Sequence, residues 1–332
     1  LNLKAATVEV NNLNVHFGKA HVIHDVSFNV KKGELIGFFG ISGAGKTTII
    51  RVLTCQLSKK NWTGQVRVTG LDPAKGSNHS KILSKIGYVP QLELQNLYYE
   101  ISALGNIEIF ANTYGLKKDE AYKIAEELFT ILDIPEDTWD NPLKKMSGGE
   151  KKRVSMAIGL IHEPEVLFLD EPTTGVDANK RYDILNYLKV LNRKLNTTMF
   201  IITHDLEAAL VCDRAAILRE GKVLEFDSPE NLIQSLPSGG LLVRFTIKGL
   251  DEEKIDIMKD FPYAEEVVRA GNLDVEVFLD DLEAHLPSLL SYLFENNIEI
   301  TSMTKDIANF RRFFQIRIDE EEKKEKRNNI NK

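Results

Sequence analysis

The chain has 332 residues, 43% of them hydrophobic and 27% charged, with a net charge of −7. That length allows one large core or two domains, and the acidic balance gives no electrostatic footprint for nucleic acid. No apolar run approaches the roughly 18–20 residues of a membrane span. No leader of the n-region/h-region type opens the sequence, and Cys55 and Cys212 stand in no metal-ligand or redox spacing. The expectation is a cytoplasmic chain with two reduced cysteines.

Residues 7–39 cluster β-formers: Val8 and Val10, then Leu13, Val15 and Phe17, then Val26, Phe28 and Val30. Gly18, His24-Asp25 and Lys31-Lys32-Gly33 punctuate them as turns, which predicts a small β subdomain continued by Gln65–Val68. The apolar run Leu35–Phe39 then enters Gly40-Ile41-Ser42-Gly43-Ala44-Gly45-Lys46-Thr47-Thr48. This is the phosphate-loop pattern of Gly, four residues, Gly, Lys and Ser or Thr, set between a strand and a helix as the motif requires. Its glycines let backbone N–H groups close on phosphate oxygens at the positive end of a helix. Lys46 would reach the β- and γ-phosphates, and the Thr47 hydroxyl would sit on Mg²⁺.

Ile86–Val89 reads as a short strand stopped by Pro90-Gln91. From about 92 to 160 the pattern is helical, with Ala121, Ile124, Leu128, Ile131 and Leu132 on one face and breaks at Pro135 and Pro142. Within it, Met146-Ser147-Gly148-Gly149-Glu150 opens a helix and offers a second anion site of N–H groups and one hydroxyl. Val166–Leu169 is a buried strand ending in Asp170-Glu171; a phosphate-loop enzyme needs an acid there to hold Mg²⁺, and Glu171 is placed to polarise a water. A helix follows, with Ile184, Leu185, Leu188, Leu191 and Leu195 on one face, and then the strand Thr198–Ile202 before Thr203-His204-Asp205. Strands alternating with helices predict an α/β fold with a largely parallel sheet.

The motif set resembles the nucleotide-binding subunit of ABC transporters, over about Val8 to Leu236 and with every family motif in order. What the resemblance implies is a P-loop NTPase of the ABC-cassette type, with a β subdomain, a RecA-like parallel core and a helical subdomain. It makes Phe17 the aromatic that stacks on adenine, Gln91 the glutamine that senses Mg²⁺ and faces the membrane partner, and Ser147 to Glu150 the signature motif. It also makes Asp170 the metal-binding acid, Glu171 the catalytic carboxylate, Asp177 part of the loop crossing between subunits and His204 the switch histidine. Met146 and Glu150 replace the usual Leu and Gln, and neither change removes a catalytic group. The implied cofactors are ATP and Mg²⁺. The implied partners are a second copy or a paralogous ATPase, and a separate membrane permease beneath which the chain lies on the inner face of the cell membrane. Gly105–Leu116 and Glu171–Asp177 look most like the ABC-2-type exporter group. An importer ATPase with a regulatory C-terminal domain, and a non-transport ABC ATPase, are the alternatives.

Ser228-Pro229 and Leu236–Gly240 mark a boundary, taken at 236/237. Beyond it the order strand, helix, strand, strand, helix, strand predicts a small ferredoxin-like α+β domain over 237–318. Pro287 either kinks its second helix or begins it. The mixed charges and Asn of residues 319–332 predict a disordered tail.

Overall fold

The computed structural model describes residues 6–92 and 96–330. Two compact units divide the chain, Leu1–Asp227 and Ser228–Lys332.

In the first unit, β1 (Ala6–Phe17) pairs antiparallel with β2 (Ala20–Lys31) and β4 (Trp62–Val68). Val8, Val10, Leu13 and Val15 turn inward from β1 and meet Val30, Phe28, Val26 and Ile23 across the ladder. The turn expected at His24-Asp25 is a bulge instead. Asn12 and Asp25 both take positive φ, 51° and 52°, and Asn12 Nδ2 donates to Asp25 Oδ1 at 2.7 Å. Residues that tolerate the left-handed region serve a bulge as well as a turn.

The second sheet has the order β5-β6-β7-β3-β8-β9 and is parallel except for its last strand. Its members are β3 (Leu35–Phe39), β5 (Ile86–Val89), β6 (Val166–Asp170), β7 (Thr198–Thr203), β8 (Arg214–Arg219) and β9 (Lys222–Asp227). The central strands are apolar without alternation because helices cover both faces. Phe200 links three of them, with ring centroids 5.5 Å from Phe38 and 5.0 Å from Phe168. Their carboxyl ends therefore lie side by side, the edge at which an α/β sheet binds ligands. The helices are α1 (Lys46–Leu53), α2 (Gly76–Leu83), α3 (Ala103–Thr113), α4 (Lys118–Ile131), α5 (Gly148–Leu160) and α6 (Ala178–Leu195).

The second unit begins with α7 (Pro229–Gln234), which packs on α10 (Phe310–Ile330). This moves the division from 236/237 back to Asp227/Ser228. Then come β10 (Leu241–Ile247), α8 (Glu252–Lys259), β11 (Ala264–Arg269), β12 (Asp274–Leu279), α9 (Leu282–Glu295) and β13 (Ile300–Ile307). The sheet order β11-β12-β10-β13, antiparallel throughout, is that of a ferredoxin-like sandwich. Val243, Phe245, Val275 and Val277 face Leu286 and Leu289 in its core. Helix α9 starts at Leu282, capped by Asp281, so Pro287 lies inside it and leaves the Glu283 carbonyl without its usual helical donor.

The tail expected to be disordered from residue 319 is helical through Ile330. Phe310, Phe313 and Ile316 are buried and hold the first turns of α10. The charges then pair along the helix, Arg317 with Glu320 at 2.5 Å and Lys324 with Glu321 at 2.6 Å.

Candidate active site

The phosphate loop leaves β3 where only glycine fits. A Cβ on Gly40 would lie 2.4 Å from the Leu218 carbonyl oxygen of β8. Gly45 has φ +100°, and a Cβ there would meet Ile23 Cδ1 at 2.5 Å. The loop is tied to the β8–β9 turn, since Gly221 N–H donates to the Ala44 carbonyl at 3.1 Å. No acidic residue occupies the first turn of α1, so the positive field of its N-terminus is open to an anion. Lys46 Nζ donates to the carbonyls of Gly40 at 2.6 Å and Ile41 at 3.1 Å. Burial lowers the pKa of this ammonium, and the Glu171 and Asp170 carboxylates pull it back up.

Asp170 ends β6 and accepts from the Tyr88 hydroxyl at 3.1 Å. Burial raises its pKa; the Tyr88 hydrogen bond and the charges of Lys46 and Lys152 act the other way. Glu171 turns away from the strand with φ +49°, its N–H donating to the Ile202 carbonyl at 2.7 Å. Its carboxylate is engaged on both oxygens. Oε2 accepts from the hydroxyls of Thr203 at 2.8 Å and Thr174 at 3.1 Å. Oε1 accepts from the His204 backbone N–H at 3.2 Å and from His204 Nδ1–H at 2.8 Å. That tautomer leaves Nε2 of His204, a side chain 66% exposed, turned toward solvent.

Ile41 to Thr48, Gln91, Asp170, Glu171 and His204 line one cleft of about 750 Å³. Gly40 stands just behind it, holding Lys46 through its carbonyl. Phe17 lies at the end of β1, outside the lining, and is 41% exposed, so it is not a core aromatic. Ser147 and Gly149 open onto a different cleft, with Asp133, Arg153, Lys180 and Tyr187. There Ser147 and Glu150 form a capping box: Glu150 Oε2 accepts from Ser147 N–H at 2.7 Å, and Ser147 Oγ accepts from Glu150 N–H at 3.3 Å. Asp177 takes the N-cap position of α6, yet its side chain makes no capping hydrogen bond.

Four residues of the site escaped the sequence reading. Val22 lines the cleft from β2, Tyr88 holds Asp170, and Thr174 and Thr203 hold Glu171. Their only signal was adjacency, Tyr88 shortly before Gln91 and Thr203 next to His204.

The family model described as "ABC transporter" matches residues 23–174. The linearmycin resistance ATP-binding protein of Bacillus subtilis is 29% identical over 92% of this chain and 96% of its own length. A methionine import ATP-binding protein of Clostridioides difficile is 30% identical over 87% of this chain and 92% of its own. Among solved structures, a dimeric ATP-binding cassette in a post-hydrolysis state with ADP and Pi superposes with a TM-score of 0.59. It is 27% identical and covers 67% of this chain and 98% of that one.

Proposed function

The chain belongs to the ATP-binding, ATP-hydrolysing subunits of ABC transporters, and from that premise we propose that two copies close head to tail on two ATP molecules and so drive a separate membrane subunit of an exporter. The observation that carries this reading is the single cleft in which Lys46, Thr47, Gln91, Asp170, Glu171 and His204 meet.

On binding ATP, Lys46 exchanges the Gly40 and Ile41 carbonyls for phosphate oxygens, and the N–H groups of the loop close around them. Phe17 stacks on the adenine. Glu171 takes the proton of the attacking water, while His204 steers that carboxylate through Nδ1–H. The Asp170 carboxylate, the Thr47 hydroxyl and the Gln91 amide are hard oxygen donors on one cleft and fit Mg²⁺. Held by these residues, Mg²⁺ would supply neutralising charge to the phosphates. Ser147 and Gly149 open onto a second cleft, which supports the use of the turn from Ser147 to Gly149 against the ATP of the other copy, with Asp177 at the start of the helix whose Lys180 lines that cleft. A groove of about 640 Å³ next to the Gln91 segment, lined by Leu83, Phe110, Tyr114 and His162 among others, is our docking place for the membrane subunit, on the inner face of the cell membrane.

Export is the reading that the linearmycin resistance relative, aligned over 92% of this chain and 96% of its own length, supports. The methionine-import relative and the ferredoxin-like unit favour a second reading, an importer ATPase whose C-terminal unit binds a small regulatory ligand. Co-reconstitution with a candidate membrane subunit tests both. ATPase stimulation by an exported substrate supports the first reading. A fall in ATPase rate on adding L-methionine overturns it in favour of the second.

A further inference from the structure

Helix α5 does more than present its N-terminal turn. Lys152 on this helix is only 1% exposed, and its Nζ donates to the backbone carbonyl of Gln91 at 3.2 Å. One turn on, the buried Ser155 and the half-buried Asn96 are doubly bonded. Asn96 Nδ2 donates to Ser155 Oγ at 2.9 Å, and the Ser155 hydroxyl donates to Asn96 Oδ1 at 3.0 Å. A further turn on, helix and strand touch through glycines: a Cβ on Gly87 of β5 would lie 2.0 Å from the Gly159 carbonyl oxygen. Positions 152, 155 and 159 share one face of the helix. That face therefore grips β5, the residue at which the chain enters the cleft, and the residue Asn96 beyond it.

Packing alone gives no reason for an ammonium here. Taking such a charge from water costs several kcal/mol, and an apolar side chain of similar volume is often neutral or stabilising in its place. Contact with Gln91 supplies a reason, beside the charge that Lys152 sets against Asp170. Lys152 lies five residues after Ser147 on the same rigid helix, about 7.5 Å along its axis at 1.5 Å per residue.

We propose that Lys152 and Ser155 form a latch that fixes Gln91 in the ATP cleft to the helix beginning at Ser147-Gly148-Gly149, so that a shift of that turn on meeting a γ-phosphate moves Gln91 with it. Lys152 is a positioning residue, acting through Gln91. The proposal rests on the reading that Gln91 serves the nucleotide site.

The test compares Lys152→Met, Ser155→Ala, Gln91→Ala and the Gln91→Ala/Lys152→Met double variant in the full chain. Lys152→Met is expected to lower kcat about tenfold or more, since small misplacements at a reacting centre cost that much. KM for ATP stays within about twofold, the thermal midpoint does not fall, and amide exchange in the peptide containing Gln91 speeds up. The double variant loses no more than Gln91→Ala alone, because both act through one group. Wild-type kcat in Lys152→Met beside an impaired Gln91→Ala overturns the latch and leaves the site reading intact. An unimpaired Gln91→Ala overturns the site reading and the latch with it. If Lys152→Met does not fold, Ser155→Ala decides: lower kcat at an unchanged midpoint supports the latch, and unchanged kcat overturns it.

Discussion

The Glu171 carboxylate is held in a constrained pose. Both carboxylate oxygens are engaged by Thr203, Thr174 and His204, and the backbone sits at φ +49°, a conformation that costs a non-glycine residue on the order of 1–2 kcal/mol. Glu171→Gln preserves shape and an acceptor for Thr203 but removes the carboxylate proposed as the base. It is expected to bind ATP and to hydrolyse it at least about a hundredfold slower; turnover near wild type would refute the assignment. Cys55 makes a second prediction at this scale. Burial pushes its thiol up to about 11, so about one molecule in a thousand is thiolate at pH 8. Iodoacetamide should then label it about a hundredfold more slowly than a free thiol in solution, and labelling at the solution rate would contradict the burial. That Glu171 and His204 stand at the ends of neighbouring strands was legible, because acid after an apolar strand, and His after another, are distinctive patterns. The threonines that hold Glu171 were not, because a hydroxyl gives no spacing signal until the strand ends are brought side by side.

At the scale of elements, the β1–β2 hairpin carries three imidazoles on one surface. The rings of His16 and His21 stack with centroids 4.0 Å apart, and those of His21 and His24 are also 4.0 Å apart. Burial, then the charges of His21, Lys222 and His16, lower the pKa of His24 below the usual 6.5, with Glu220 pulling the other way. The unfolded chain thus takes up this proton first as pH falls. Stability from this group is fully present above 6.5 and is lost as pH drops from there toward the lowered folded value. The thermal midpoint should fall between pH 7.5 and 5.5, and His24→Gln should flatten that dependence; an unchanged slope would count against the cluster. The same hairpin marks a limit of sequence reading. Asp25 prefers the left-handed backbone in a turn or a bulge alike, and its cross-strand partner Asn12 decides which. In α10, composition pointed to disorder, whereas three apolar residues upstream nucleate a helix that ion pairs then extend.

At the scale of the molecule, each unit has a core of its own. The strand order of the second follows from the order of its elements, because two right-handed crossovers leave little choice of topology. The boundary was less legible: α7 reads as an appendage of either unit until its packing on α10 assigns it. Two calorimetric transitions are expected. ATP with Mg²⁺ should raise one of them, the unit containing Lys46, by about 2.7 kcal/mol at a hundred times Kd. Equal movement of both transitions would contradict independent cores.

Lys46 opens onto one cleft and Ser147 onto another. If each ATP needs both, a lone chain holds two halves of different reactions and completes neither. The rate law then changes order. In dilute solution hydrolysis should grow with the square of protein concentration, and specific activity should climb until every chain is paired. Strictly proportional activity down to the lowest concentrations would mean that one chain suffices. In a membrane, the quantity that sets the rate becomes the local density of chains, so a permease that holds two of them side by side is itself an activator.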